Sequence, residues 1–227
     1  MKPLISVIMS VYNDSNNLES SINSILNQDF QDFEFLIMND CSTDESYNIL
    51  ESYSQDSRIK VFQNEKNLGL TKSLNILLNE SKGTFVARQD SDDLSLSSRF
   101  SKQLNYIKNK NLDVCGSRAI IKGSTRITPN RSYYLPLKTT LRIKNPFIHG
   151  SLIIKKTTIE SVNYYDEKFF YSQDYKLVKD ILYSGSSMGI LKEPLYVLNL
   201  NNNISTNFKE KQKYYADCVR KNLVPNE

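Results

Sequence analysis

Phe33-Glu34-Phe35-Leu36-Ile37-Met38-Asn39-Asp40 is the stretch on which the fold turns. A short, near-continuous apolar run reads as a strand buried on both faces, which is the pattern of a parallel sheet. It ends abruptly in Asn-Asp, and Ser42-Thr43-Asp44-Glu45 just beyond can start a helix reaching to about Tyr53. Upstream, Leu4 to Met9 is a second such run. It is followed by the cap candidates Asp14 and Ser15, and by Leu18, Ile22, Ile25 and Leu26 on one helical face. Downstream, Arg58 to Phe62 reads as a third strand, Asn67-Leu68-Gly69 as a turn, Leu70, Leu74, Leu77 and Leu78 as the stripe of a third helix, and Thr84 to Ala87 as a fourth strand. Strict alternation of strand and helix means βαβ crossovers and a mainly parallel central sheet flanked by helices, an α/β fold of Rossmann-like type. Ligands in such sheets sit outside the carboxyl ends of the strands, so the loops after Met9, Met38, Phe62 and Arg88 are the places for a site.

The second half is less regular. Ser95 to Lys108 reads as a helix, Leu112 to Ile121 and Ser151 to Ile154 as strands, Asp174 to Tyr183 as a helix, Met188 to Leu198 as a strand, Asn199 to Asn203 as a short turn, and Phe208 to Leu223 as a polar helix. At 227 residues the chain can bury one substantial core, and 39% hydrophobic with 24% charged residues is ordinary for a globular protein. No run reaches the roughly 18 apolar residues of a membrane span. Met1-Lys2-Pro3 opens no signal peptide, and three widely spaced cysteines (Cys41, Cys115, Cys218) point to a reducing compartment. A net charge of +4 is too mild to argue for nucleic acid. The charge is uneven, however. Between Asp113 and Glu160 there is no acidic residue, against nine basic ones, a field that attracts anions or else forms a solvated face.

Acidic residues stand at the strand ends. Asp40 follows the second strand, and Asp90-Ser91-Asp92-Asp93 follows the fourth. Three carboxylates in four residues repel one another unless positive charge sits among them. A hard divalent cation, Mg²⁺ or Mn²⁺, suits such oxygen ligands, and a metal held by one or two carboxylates keeps positions for substrate phosphates. The other reading is a helix start, with Asp92 or Asp93 capping a helix from Ser95.

The segments Ile5-Ser6-Val7-Ile8-Met9-Ser10-Val11-Tyr12-Asn13, Phe33 to Asp44, Asn67-Leu68-Gly69-Leu70 and Ala87-Arg88-Gln89-Asp90-Ser91-Asp92-Asp93 occur in this order. Together they resemble the family 2 glycosyltransferases of GT-A fold, strongly over residues 4 to 103 and more weakly through Asn145 to Ser151, Tyr165-Asp166-Glu167 and Gln173-Asp174-Tyr175. The resemblance implies a nucleotide-sugar-binding half over residues 1–110, a smaller mixed acceptor-binding half over 111–205 carrying the catalytic base, and a helical tail over 206–227. Val11 and Tyr12 would line the base pocket, and Asp40 would accept a hydrogen bond from the base, usually uracil. Lys72 would lie near the nucleotide, with an exposed helix lysine as the other reading. Arg88 would lie by the base or diphosphate, Asp90 with Ser91 would approach the ribose and sugar, and Asp92 would bind the metal. His149, the one histidine, would contact the metal or diphosphate, or be structural. Asp174 would be the general base, with an acid at a helix start as the other reading, here preceded by Gln173 where the family usually has Glu. Cys41 stands where Gly is common. Tyr133-Tyr134 and Tyr164-Tyr165 would stack on acceptor sugars or pack at the core rim.

The implied activity is metal-dependent, inverting transfer of a hexose or N-acetylhexosamine from a UDP-sugar to a hydroxyl of a growing bacterial surface glycan, such as capsule, O-antigen or lipooligosaccharide. The implied setting is cytoplasmic and peripheral at the inner face of the membrane, with a lipid-linked glycan acceptor and the basic stretch on the anionic leaflet. The tail helix would pair with a second copy as a homodimer or lie on the membrane. The alternative is a non-catalytic nucleotide-sugar-binding subunit. A dinucleotide-dependent oxidoreductase is disfavoured, since the turn from Ser10 to Asp14 has no G-x-G-x-x-G and the chain holds only seven glycines.

Overall fold

The computed structural model describes residues 2–201 and 208–226. Strands β1 (Ile5–Val11), β2 (Phe33–Asn39), β3 (Ile59–Gln63) and β4 (Phe85–Arg88) alternate with helices α1 (Ser15–Leu26), α2 (Ser46–Ser52) and α3 (Leu70–Glu80), as the apolar runs require. These four strands are mutually parallel in the spatial order β3-β2-β1-β4. Winding proceeds outward from β1 to β3 and then crosses to the other side of β1. The topological switch point therefore lies between β1 and β4, where such sheets open a crevice at their carboxyl ends.

Side chains alternate across the sheet. Ile5, Val7, Met9 and Val11 of β1 pack with Phe35 and Ile37 of β2 against Leu18, Ile22 and Ile25 of α1 and Phe100 and Ile107 of α4 (Arg99–Lys110). Ile8, Leu36 and Met38 face the opposite layer, with Leu74, Leu77 and Leu78 of α3 and Leu177, Val178 and Ile181 of a later helix. Both faces are covered, which is why β2 is buried at all seven positions and could not read as an alternating strand.

Beyond β4 the chain adds β5 (Leu94–Ser95), α4, β6 (Val114–Ile121), β7 (Ile127–Thr128), a 3₁₀ turn (Arg131–Tyr134), α5 (Leu137–Thr140), a second 3₁₀ turn (His149–Ser151), β8 (Ile153–Lys155), α6 (Lys156–Ser161), α7 (Gln173–Tyr183), β9 (Met188–Leu198) and α8 (Lys209–Lys221). The sheet continues past β4 as β8-β6-β9-β5, with β7 on β6. β8 runs antiparallel to both β4 and β6, so the parallel run is interrupted by one reversed strand. The fourth helix starts at Arg99, not Ser95, because Leu94 and Ser95 pair with Val197 and Tyr196 of β9. No aspartate caps it: the Asp93 carboxylate instead accepts the backbone N–H of Asn199 at 2.6 Å. Of the Asn-rich turn, residues 202 and 203 lie outside the described residues. α8 buries Tyr215, Cys218 and Val219 in the core, and Lys179 of α7 donates to the Val219 carbonyl and to Asn222. The three cysteines are free, and no described helix is long and apolar enough to cross a membrane.

Candidate functional site

The crevice at the switch point is walled by the loops after β1 and β4, and side chains stitch them together. Ser91 donates to Asp14 at 2.6 Å, and Ser21 of α1 donates to the Asp90 carbonyl at 2.8 Å. The β4 loop is shaped from beneath. Gln89 Nε2 donates to the carbonyls of Asp90 and Asp93, while Arg99, fully buried, donates to the Arg88 carbonyl and to Gln89 Oε1. Burial lowers the Arg99 guanidinium to about 10, which leaves it charged at neutral pH.

This scaffold collects four of the expected residues. Arg88, 2% exposed, donates Nη1–H to the Ile8 carbonyl and Nη2–H to Asp90 at 2.6 Å. Its buried Nε–H has no partner among the described residues. The 3₁₀ turn carrying His149 closes against Asp90. A Cβ on Gly150 would come 2.7 Å from Asp90 Oδ2 and 2.0 Å from the Tyr196 hydroxyl, so only glycine permits this approach. His149 Nε2 and the Tyr165 hydroxyl share a hydrogen bond of 2.7 Å. Burial and the Arg88 charge hold His149 below the ordinary imidazole range, against the opposing pull of Asp90 and Asp174. Asp174 stands in the first turn of α7, and its Oδ2 accepts Asn145 Nδ2–H at 2.8 Å. The charges of Arg88 and Asp90 from one segment and of Asp174 from another thus bear on His149 in a third.

A second group surrounds Asp92. Burial first, then the charges of Asp90 and Asp14, push its carboxyl up to about 7, with Lys122 opposing. Burial, then Asp90 and Asp92, push Asp93 up to about 8. The Asp92 carboxylate accepts no hydrogen bond from another described residue, and Asp90 and Asp14 oppose its ionisation with Lys122 as the cation against them. That fits a hard cation with oxygen ligands. Among the described residues no three His, Cys, Asp or Glu side chains converge on one point. The side-chain partner of His149 is Tyr165, and the charges of Asp90 and Asp174 act on its ring.

Asp40 has a role that its sequence context did not reveal. Only 2% exposed, its carboxylate takes Asn64 Nδ2–H (2.7 Å) and the Leu68 N–H (2.8 Å) on Oδ1, and the Gly69 N–H (2.8 Å) on Oδ2. It therefore fastens the Asn-Leu-Gly turn, where Gly69 at φ 83° leads into α3. Of about four acceptor positions on a carboxylate, three are occupied and one is left. Val11, buried, joins this region by accepting the Asp40 N–H, and Tyr12 beside it is 50% exposed. Lys72 lies half-buried on α3, and no hydrogen bond or ion pair among the described residues ties it or Tyr12 to the acidic cluster. Asn145, Tyr165, Tyr196 and Asp14 were not singled out as partners from the sequence. Each meets its partner across 16 to 106 residues of chain, a pairing with no local signature.

The model of the family described as "Glycosyl transferase family 2" matches residues 6–179. An uncharacterized glycosyltransferase of Haemophilus influenzae is 35% identical over 190 residues, 78% of this chain and 58% of that protein. The O-antigen biosynthesis glycosyltransferase WbnJ of Escherichia coli is 35% identical over 192 residues, 79% of this chain and 72% of WbnJ. The crystal structure of S. aureus TarS 1-349 in complex with UDP-GlcNAc superimposes with a TM-score of 0.77 at 22% identity, covering 98% of this chain and 68% of that one, which shows a shared fold. The chain spans about three fifths of the length of curated relatives such as the Haemophilus protein. On the extent of the family match and the identity to these relatives, the chain belongs to glycosyl transferase family 2.

Proposed function

We propose that the chain transfers a hexose or N-acetylhexosamine from a UDP-sugar to a hydroxyl of a growing bacterial surface glycan, with inversion at the anomeric carbon. The observation that carries this reading is the meeting of Arg88, Asp90, His149 and Asp174 at the carboxyl-end crevice. TarS, which shares the fold, forms a complex with UDP-GlcNAc, and WbnJ is named for O-antigen biosynthesis; the two together support a UDP-sugar donor and a glycan acceptor.

In this reading the spare acceptor position of Asp40 takes an N–H of the base, between Val11 and Tyr12. Arg88, with a buried Nε–H unmatched, supplies positive charge beside the diphosphate. Asp90, held by Arg88, orients the ribose or sugar. Asp92 would hold Mn²⁺ or Mg²⁺, which when bound neutralises the diphosphate as it departs. Asn145 fixes one oxygen of Asp174 and leaves the other to take the proton of the acceptor hydroxyl. The acceptor oxygen then bonds to the anomeric carbon as the bond to the diphosphate breaks. The electron pair leaves with UDP, and the proton remains on Asp174.

The test is UDP release from UDP-sugars with Mn²⁺, with and without a glycan acceptor. Asp174→Asn is expected to lower transfer by about 10² to 10⁴, the range of general-base contributions, while UDP binding persists. Full transfer by that variant would refute the base assignment. Absence of UDP release from any donor by the wild type would favour a non-catalytic nucleotide-sugar-binding subunit.

A further inference from the structure

We propose that the outer face of residues 131–144 docks this chain on the surface of an anionic lipid bilayer. In this segment extended Leu135 and Pro136 join the 3₁₀ turn to α5, and Ile143 and Lys144 donate their N–H groups to the Thr140 carbonyl, which carries the helix on by a turn. Its inner side is anchored. Tyr133 and Leu137 pack against the core, and Thr140 and Leu141 are each 2% exposed. The same segment presents Tyr134 (67% exposed), Leu135 (52%) and Ile143 (64%) to water. It also carries Arg131, Lys138, Arg142 and Lys144, all exposed and without an ion pair or hydrogen bond to a described residue. Lys155 and Lys156, at the border of the acid-free stretch, do find carboxylates in Asp113 and Glu160. Nothing acidic interrupts the sequence from 114 to 159.

Exposed aliphatic and aromatic tips among unpaired cations are the composition of an interfacial surface. The apolar tips enter the headgroup region while the basic heads stay with lipid phosphates. A nucleic acid would satisfy the charge but gives Leu135 and Ile143 no apolar medium. Arg220 of α8 donates to the Ile143 carbonyl, which brings that helix end, with exposed Leu223 and Val224 just beyond it, to the edge of the same segment. A cavity of about 430 Å³ is lined by Arg131 and Lys144 together with Asn145, the residue that holds Asp174. Docking would thus present that cavity to an acceptor standing in the membrane. This last consequence rests on the proposed transfer reaction, whereas the docking itself does not.

The experiment is co-sedimentation of the full chain with vesicles of phosphatidylcholine containing 30% phosphatidylglycerol, and with pure phosphatidylcholine, without donor sugar. Binding to the anionic vesicles and little to the neutral ones is expected. Each cation contributes about fivefold to partitioning onto an anionic leaflet, so Lys138→Gln/Arg142→Gln should lower the partition coefficient about thirtyfold. Leu135→Ser/Ile143→Ser should lower it at least tenfold, and Lys209→Gln/Lys213→Gln, an equal charge change on α8, should leave it within a factor of about three. Melting curves confirm that each variant is folded. Equal binding to both vesicle types, undiminished binding by the first two variants, or an equal loss in the third would overturn the proposal. UDP release in solution is scored separately, so failure of docking and failure of the transfer reaction are distinguishable.

Discussion

Replacing Asp40 with alanine tests whether this carboxylate fastens the turn that leads into α3. The side chain accepts three hydrogen bonds of 2.7 to 2.8 Å in a site only 2% exposed. Bonds to a charged group contribute about 1.5–3 kcal/mol each, and truncation leaves their donors unmatched. Two corrections pull the sum down. Asn64 Nδ2 keeps a second acceptor in Ser73 Oγ at 3.0 Å, and Leu68 and Gly69 are half-buried, so water can reach their N–H groups. Removing a buried charge also relieves its desolvation cost. A net loss of about 3–5 kcal/mol remains, out of the roughly 5–15 kcal/mol that keeps a domain folded. At about 2–4 °C per kcal/mol for a chain of this size, the melting temperature should drop by about 6–20 °C. Asp40→Asn should fall between wild type and alanine. Its one remaining oxygen can keep Asn64 and Leu68, but its NH₂ meets the Gly69 N–H donor to donor. Calorimetry gives the order of stability, and amide exchange should quicken first at Leu68 and Gly69. An alanine variant melting within about 2 °C of wild type, or one less perturbed than asparagine, would refute the reasoning.

Two further outcomes follow from the acidic rim. Asp92 and Asp93 keep protons in the fold up to about 7 and about 8 that an unfolded chain releases near the ordinary aspartate value of 3.8. The unfolded state therefore binds fewer protons, and stability falls as pH rises through those values, at most about 1.4 kcal/mol per pH unit for each whole proton. His149 acts in the opposite sense, but only below its unfolded value of 6.5, and Asp44 titrates near 2, so the clean window is about pH 6.5 to 8. Melting temperature in low salt should decline across that window, and Asp92→Asn should flatten the decline; equal slopes would reject the assignment. Gly150→Ala forces a methyl group against the Tyr196 hydroxyl and Asp90, and Tyr196 is fully buried and cannot swing away. The variant should lose about 1–3 kcal/mol of stability to overpacking, and UDP release should fall at least tenfold; unchanged values of both would mean that the turn relaxes freely.

Much of the first half is legible without coordinates. Near-continuous apolar runs mark β1 and β2, and the stripe at Leu70, Leu74, Leu77 and Leu78 marks α3, because burial on both faces or on one helical face leaves a local signal, whereas β3, Ile59-Lys60-Val61-Phe62-Gln63, is only partly buried. The strand ends follow directly, and with them the loops that hold Asp40, Arg88, Asp90 and Asp92. The start of α4 is misread because Leu94 and Ser95 are claimed by β9, a strand about 100 residues away, and no local propensity encodes that pairing. The reversed direction of β8 is hidden for the same reason, since three residues of strand look alike in either orientation.

Sequence alone determined the alternating α/β order and the acidic strand ends, since apolar period and turn residues act over a few neighbours. Which donor faces which acid was decided by tertiary structure. Asp40 fastens the turn 28 residues downstream, Asn145 holds Asp174, Tyr165 holds His149, and Asp93 leaves the helix it could have capped for the backbone of Asn199. A hydrogen bond reaches about 3 Å, and only the crossovers of the sheet bring such distant residues within that range.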